Sequence, residues 1–139
     1  MSERFVLDAS VTMCWCFTDE QNELSRHSLQ ALRDGEAVVP AIWTLEVANV
    51  LLIAERRKRL TRAESEQFLS LLEALPITID ICSIQAISSR ILALGRDYQL
   101  SSYHAAYLAI AMQEGLPLAT NDANLLRAMA MLGVNKFSP

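Results

Sequence analysis

Short apolar segments rich in β-branched residues alternate with longer segments of helical periodicity along this chain. Parallel strands require long crossover connections, which are usually helices, so the alternation predicts an α/β fold with a short, mostly parallel sheet flanked by helices. A length of 139 residues fits a single domain, predicted to span 1–139. Strands are predicted at residues 4–7, 37–39, 77–81, 116–119 and 134–137.

A helical hairpin is predicted between the second and third strands, with helices at about 43–59 and 62–75. Thr61 and Glu64 have the spacing of a capping box at the start of its second helix. Ser101 or Ser102 can begin a later helix that ends near residue 114, where Gly115 provides a C-terminal stop. His104 is therefore predicted in the first turn of that helix.

Composition restricts the class of protein. The hydrophobic fraction of 52% is high for a small protein, which favours apolar surface covered by a second subunit. The longest apolar stretches, such as 105–112, are well short of the roughly 18 residues of a membrane span. No secretory signal precedes the first strand, so a cytoplasmic protein without a membrane segment is predicted.

The net charge of −4 argues against bulk electrostatic attraction to nucleic acid. One segment, 56–59 together with Arg62, is nevertheless strongly basic, so an RNA substrate is not excluded. A solvated helix end and an RNA or partner contact are both compatible with this segment.

Three cysteines are an odd number, and the Cys14-x-Cys16 pair has no second pair or nearby histidines to complete a zinc motif. Cys14, Cys16 and Cys82 are predicted to be buried reduced thiols.

Three carboxylates lie far apart in the sequence, at positions where an α/β fold delivers side chains to one site. Asp8 follows the apolar run 5–7, and Asp122 follows the run 116–119, so both are predicted at the carboxyl ends of parallel strands, where such sheets bind ligands. Glu46 is flanked by apolar residues within a helical pattern. Assembled carboxylates raise one another's pKa unless a divalent cation keeps them ionised, which indicates a hard-metal site. Alternatively, the aspartates cap helices and Glu46 is merely solvated.

The segments 6–10, 45–51, 100–111 and 118–122, in this order and spacing, closely resemble the PIN-domain family. Together with the chain length they are similar to the VapC-type ribonuclease toxins of toxin–antitoxin pairs. The resemblance implies a PIN-like three-layer fold with helices around the sheet, and an acidic Mg²⁺ or Mn²⁺ site that hydrolyses RNA. It also implies a homodimer and a cognate antitoxin that blocks the acidic site.

By this resemblance Asp8, Glu46 and Asp122 match the metal-binding acids of the family. Their polar neighbours, which would orient the acids or the attacking water, are Ser10, Asn49 and Thr120. A divalent metal suits this reaction because the phosphodiester is already negative and the attacking water needs a lower pKa.

His104 is where the sequence departs from the family, which normally has aspartate in this Tyr-Asp-Ala-Ala-Tyr context. The matched site falls from four formal negative charges to three, which disfavours Mg²⁺ and is tolerated better by Mn²⁺. His104 could bind a metal, act as an acid, base or phosphate contact, or mark an attenuated site. An attenuated PIN module that mainly binds RNA or a protein partner is therefore the alternative to an endoribonuclease.

Two tyrosines one helical turn apart, Tyr103 and Tyr107, adjoin this histidine. We expect both to pack against apolar neighbours and not to serve as base-stacking platforms.

Overall fold

The computed structural model describes residues 3–138, which form a four-stranded sheet in the order β3-β2-β1-β4. All the strand pairs are parallel, with Val6 of β1 opposite both Val38 of β2 and Leu118 of β4. The predicted α/β fold with a parallel sheet is therefore confirmed. The strands are β1 (Arg4–Leu7), β2 (Glu36–Pro40), β3 (Ile77–Asp80) and β4 (Leu118–Ala119).

β1 lies at the centre of the core. Phe5, Val6 and Leu7 are each fully buried, and since successive strand side chains point to opposite faces, helices cover the sheet on both sides. The edge strand β3 differs, because Thr78, Ile79 and Asp80 are exposed.

Eight α-helices connect and flank the described strands. Single turns of 3₁₀ helix at Met13–Trp15 and Thr18–Glu20 follow α1, and a π-helical turn at Ile87–Ile91 joins α5 to α6. The helices are α1 (Ala9–Thr12), α2 (Glu23–Ala31), α3 (Ile42–Arg56), α4 (Arg62–Ala74), α5 (Ile84–Ala86), α6 (Leu92–Tyr98), α7 (Ser102–Glu114) and α8 (Ala123–Leu132).

The helix boundaries follow local signals. Thr61 and Glu64 form the predicted capping box of α4. Ser101 caps α7, and Gly115 ends it in the left-handed conformation with φ of 65°. The first hairpin helix ends at Arg56, earlier than predicted, because Lys58 adopts a positive φ of 59° that an α-helix cannot continue through.

Two expectations are corrected. The predicted strand at 134–137 is reduced to one isolated bridge between Lys136 and Leu118, because β4 has only two residues to pair with. The cysteines are free, but only Cys14 is buried, whereas Cys16 is partly buried and Cys82 is exposed. None of the helices within residues 3–138 combines the length and apolar character needed to cross a membrane.

Candidate active site

The carboxyl ends of β1 and β4 open into a cavity of about 750 Å³. The register that pairs Leu7 with Ala119 places the next residues, Asp8 and Thr120, just past the ends of neighbouring strands at the same edge of the sheet. One face of α3 and the first turn of α7 complete this end of the cavity. The structure thus brings together five of the predicted site residues: Asp8, Ser10, Glu46, His104 and Asp122.

Asp8 is held by two hydroxyl groups. Its Oδ2 accepts hydrogen bonds from Ser10 Oγ at 2.8 Å and from Thr120 Oγ1 at 2.7 Å. Each hydroxyl in turn accepts a backbone N–H, from Asn121 and Asp122 respectively, which fixes the direction in which it donates. Asp8 makes no side-chain cap to α1, so the helix-cap interpretation is wrong for this residue.

Glu46 reaches the cavity from the first half of α3, and Tyr107 of α7 positions it. The Tyr107 hydroxyl donates to Glu46 Oε1 at 2.6 Å and accepts from the Ala9 N–H at 3.4 Å. Burial raises the pKa of Glu46, and the Tyr107 hydrogen bond partly opposes this by stabilising the ionised carboxylate. Burial, followed by the contact with Glu46, raises the pKa of Tyr107, so Tyr107 keeps its proton and remains the donor.

Asp122 has two functions in the fold. Its Oδ1 accepts the Leu125 N–H at 2.9 Å and so caps α8, as one interpretation of the sequence expected. Its Oδ2 lies 3.7 Å from His104 Nε2, a distance longer than a hydrogen bond. The His104 imidazole is therefore beside the acidic cluster without being bonded to it.

The three carboxylates share one pattern. One oxygen of each accepts a hydrogen bond from the protein, whereas Asp8 Oδ1, Glu46 Oε2 and Asp122 Oδ2 accept none from any described residue. All three line the same cavity. Fixed carboxylates with a free oxygen are the donors that hard divalent cations prefer, so the residues present suit Mg²⁺ or Mn²⁺.

The donors are not packed into a closed cage. No three His, Cys, Asp or Glu side chains within residues 3–138 are close enough together to enclose an ion. Mg²⁺ commonly keeps several water ligands and binds through one or two carboxylates, so an open arrangement agrees with its coordination chemistry. An open arrangement also leaves coordination positions for a substrate.

Sequence reasoning and structure differ at three residues. Asn49 is exposed and does not line the cavity, because it lies to one side of the α3 face that carries Glu46. Tyr107 is fully buried, as expected, but its bond to Glu46 was not predicted. A signal was present, since a lone hydroxyl within the apolar run 105–111 needs a partner when buried. Tyr103 is 56% exposed, so its predicted packing is wrong within this chain.

Beyond the carboxylates the cavity becomes apolar and then basic. Val50 and Ile53 of α3 line its middle, and Arg57, Arg59 and Glu20 line its far end. The Arg59 guanidinium pairs with Asp19 and Glu20, each at 2.7 Å, and stacks over the Phe17 ring at 3.9 Å from its centroid. Arg59 therefore fixes one wall of the cavity.

The fold and the site together define an α/β protein with an acidic cavity at the carboxyl end of its sheet. The family model described as PIN domain matches residues 5–130, and the chain therefore belongs to the PIN domain family. No curated protein matches the sequence.

Several solved structures are similar in fold. PAE2754 from Pyrobaculum aerophilum has a TM-score of 0.70 at 18% identity, over 92% of this chain and 86% of that chain. A toxin–antitoxin complex from Klebsiella pneumoniae has a TM-score of 0.60 at 20% identity, over 85% and 86%. VapBC2 from Rickettsia felis, bound to a promoter DNA fragment, has a TM-score of 0.65 at 12% identity, over 90% and 92%. At these identities the likeness is one of fold.

Proposed function

We propose that this protein is a divalent-metal-dependent endoribonuclease, the toxin half of a type II toxin–antitoxin pair. The observation that carries the proposal is the convergence of Asp8, Glu46 and Asp122 on one cavity, each with a carboxylate oxygen left free. Membership of a family whose domains are generally nucleases supports it, as do structural neighbours that are toxin–antitoxin complexes.

In this proposal Asp8 and Asp122 hold Mg²⁺ or Mn²⁺, and Glu46 does so directly or through water. The bound ion supplies charge neutralisation for the phosphodiester and a lower pKa for the attacking water. Ser10 and Thr120 orient Asp8 through its Oδ2.

In this proposal two further side chains, Tyr107 and His104, affect the carboxylates. Tyr107 orients Glu46, and His104, beside Asp122, contributes a nitrogen ligand or a proton, or its presence weakens the site.

The test is cleavage of a structured RNA by the purified protein with Mg²⁺ or Mn²⁺. Cleavage should stop with EDTA and be abolished in Asp122→Asn. Asparagine caps a helix as well as aspartate does, so this change removes charge while α8 keeps its N-terminus, which circular dichroism would verify. A wild-type rate in folded Asp122→Asn would remove the metal-site proposal.

A PIN module with attenuated catalysis, which mainly binds RNA or a protein, is the second candidate. The observation in its favour is His104 at the position where the family carries an acid. RNA binding without metal-dependent turnover at any tested ion would support this candidate over the enzyme.

We also propose that the protein forms a homodimer and has a cognate antitoxin. Large apolar side chains remain exposed, among them Ile81 at 84% and Ile84 at 83%, which agrees with a covered surface in solution. Light scattering over a dilution series should give the dimer mass, and a monomer at micromolar concentration would contradict this. A small reading frame beside the gene would identify the antitoxin.

A further inference from the structure

The two ends of the cavity carry opposite charge, and one helix connects them. Glu46 and Arg57 are separated by eleven positions on and just after α3, which is close to three full turns, so both lie on the same face. Val50 and Ile53 lie between them on that face and also line the cavity. At about 1.5 Å per residue the two charged ends are roughly 16 Å apart along the helix axis.

The two arginines at the basic end differ in their bonding. The charge of Arg59 is already engaged by Asp19 and Glu20. Arg57 is exposed, and its guanidinium forms neither an ion pair nor a hydrogen bond with any residue of the described chain. Its backbone is fixed, because its N–H bonds to Ile53 O at 3.0 Å as the C-cap of α3. Arg57 therefore presents an uncompensated cation from a rigid helix end.

We propose that Arg57 binds a backbone phosphate of the RNA strand at a distance from the bond that is cleaved. This rests on the ribonuclease function proposed above. A stacked strand advances about 3.4 Å per nucleotide, so roughly 16 Å spans about four or five nucleotides, and fewer when the strand is extended. The strand lies along α3, over Val50 and Ile53, with its scissile phosphate at the carboxylates.

A polyanion fits this arrangement better than a protein segment does. A bound metal at the acidic end and Arg57 at the basic end are two cationic points on one continuous path, and a nucleic acid strand offers phosphates to both. The α3 side chains between the two ends, Val50 and Ile53, are apolar and can contact the sugars of the strand, which carry no sequence information. Arg57 is thus a substrate-positioning residue that sets a minimum length for efficient substrates.

The test measures RNA binding by fluorescence anisotropy in the Asp122→Asn protein, with Mn²⁺ present and the salt concentration varied. Arg57→Gln in this background should weaken binding of a ten-nucleotide single strand several-fold. It should also reduce the slope of log affinity against log salt by about 0.7, the value for one phosphate contact on a single strand. A dinucleotide, whose single internal phosphate cannot lie at the carboxylates and at Arg57 together, should bind equally with and without the substitution.

Arg56→Gln is the matched control. Arg56 is the adjacent arginine at the end of the same helix and is exposed, but it does not line the cavity. Its loss should change neither the ten-nucleotide affinity nor the slope by a comparable amount. Equal effects of the two substitutions, or no effect of either, would overturn the assignment of Arg57. A protein segment would then be the better candidate ligand for the Arg57 end of the cavity.

The same samples separate this inference from the function on which it rests. If the wild-type protein cleaves RNA and the Asp122→Asn protein binds it, an unchanged Arg57→Gln overturns the Arg57 assignment alone. If the wild-type protein neither cleaves nor binds RNA under any metal condition, the ribonuclease proposal and the inference fall together.

Discussion

Asp8 and Asp80 mark the carboxyl ends of two parallel strands in the same sheet, yet their surroundings are opposite. Asp8 follows the central strand β1, is only 3% exposed, and has two hydroxyl donors on one carboxylate oxygen. Asp80 ends the edge strand β3 and is exposed. The difference arises from neighbours, since β1 has β4 beside it to supply Thr120, whereas β3 has a strand on one side only. Thr120 beyond the end of β4 and Ser10 of α1 thus hold the Asp8 carboxylate in place, whereas Asp80 accepts no such side-chain hydrogen bond from the described residues.

The largest effect expected from this comparison is a difference in RNA cleavage rate between variants of the two aspartates. If Asp8 is the metal ligand proposed above, Asp8→Asn should reduce RNA cleavage by about a thousandfold or more, because loss of that ligand forfeits several kcal/mol of transition-state stabilisation. Asp80→Asn, the same change at the other strand end, should cleave at a rate near that of wild type. Initial rates with Mn²⁺ check both, and comparable losses in the two variants would break the comparison.

A smaller loss is expected from the group that orients Asp8. Thr120→Val keeps the side-chain shape but removes the hydroxyl that donates to Asp8 Oδ2 and accepts from the Asp122 N–H. Loss of such a supporting hydrogen bond typically costs about 10- to 100-fold in metal affinity or activity. Thr120→Ser retains the hydroxyl and should stay close to wild type. If Thr120→Val also matches wild type, the Thr120 hydroxyl does not determine how Asp8 works.

Substitution of His104 should change the metal preference, by less than the loss expected for Thr120→Val. His104→Asp places a third aspartate beside Asp122 and should raise Mg²⁺-dependent cleavage a few-fold more than Mn²⁺-dependent cleavage, since Mg²⁺ prefers oxygen ligands. His104→Asn, which removes the imidazole without adding charge, is the control. An unchanged ratio of Mg²⁺ to Mn²⁺ rates in His104→Asp would place this side chain outside the reach of the metal.

The smallest effect is on stability, and its size depends on pH. The folded-state pKa of Glu46 is raised above its ordinary value by burial, so folding is more favourable when Glu46 is protonated. The stability of the metal-free protein should therefore decline as pH rises from the ordinary glutamate pKa through the raised folded-state value. Glu46→Gln lacks this decline.

In EDTA, thermal melts of Glu46→Gln should show a melting temperature a few degrees above wild type at neutral pH. The difference should disappear at pH values below the ordinary glutamate pKa, where both proteins are neutral at this position. A gap that is the same at both pH values would assign the gain to packing and not to the buried charge.

Local signals in the sequence predicted much of the fold. The β1 boundaries, the Thr61–Glu64 capping box and a serine cap of α7 at Ser101 or Ser102 were all predicted, because each depends on residues within a few positions of one another. The single bridge that replaces the strand expected at 134–137 was not predicted, because the extent of this pairing depends on the length of β4.

The motif match named the acids and also Ser10 and Thr120, whose hydroxyls donate to Asp8, but it did not name Tyr107, which donates to Glu46. Asp8 and Asp122 follow recognisable apolar runs, whereas Glu46 of α3 and Tyr107 of α7 meet across 61 positions of sequence. Asn49 is the opposite case, a residue that the motif match assigned to the site. Its position on α3 leaves it exposed. Side-chain partners across distant elements follow from tertiary packing, which periodicity does not encode.

Binding of Mn²⁺ by titration calorimetry tests the central claim most directly, since it asks whether the free carboxylate oxygens hold a divalent ion without depending on any RNA sequence. Wild-type protein and Asp80→Asn should bind Mn²⁺ with the same Kd, whereas Asp8→Asn should bind at least about tenfold more weakly, as expected when a ligand is lost. Equal Kd values in all three proteins, or no binding by the wild type, would contradict the account.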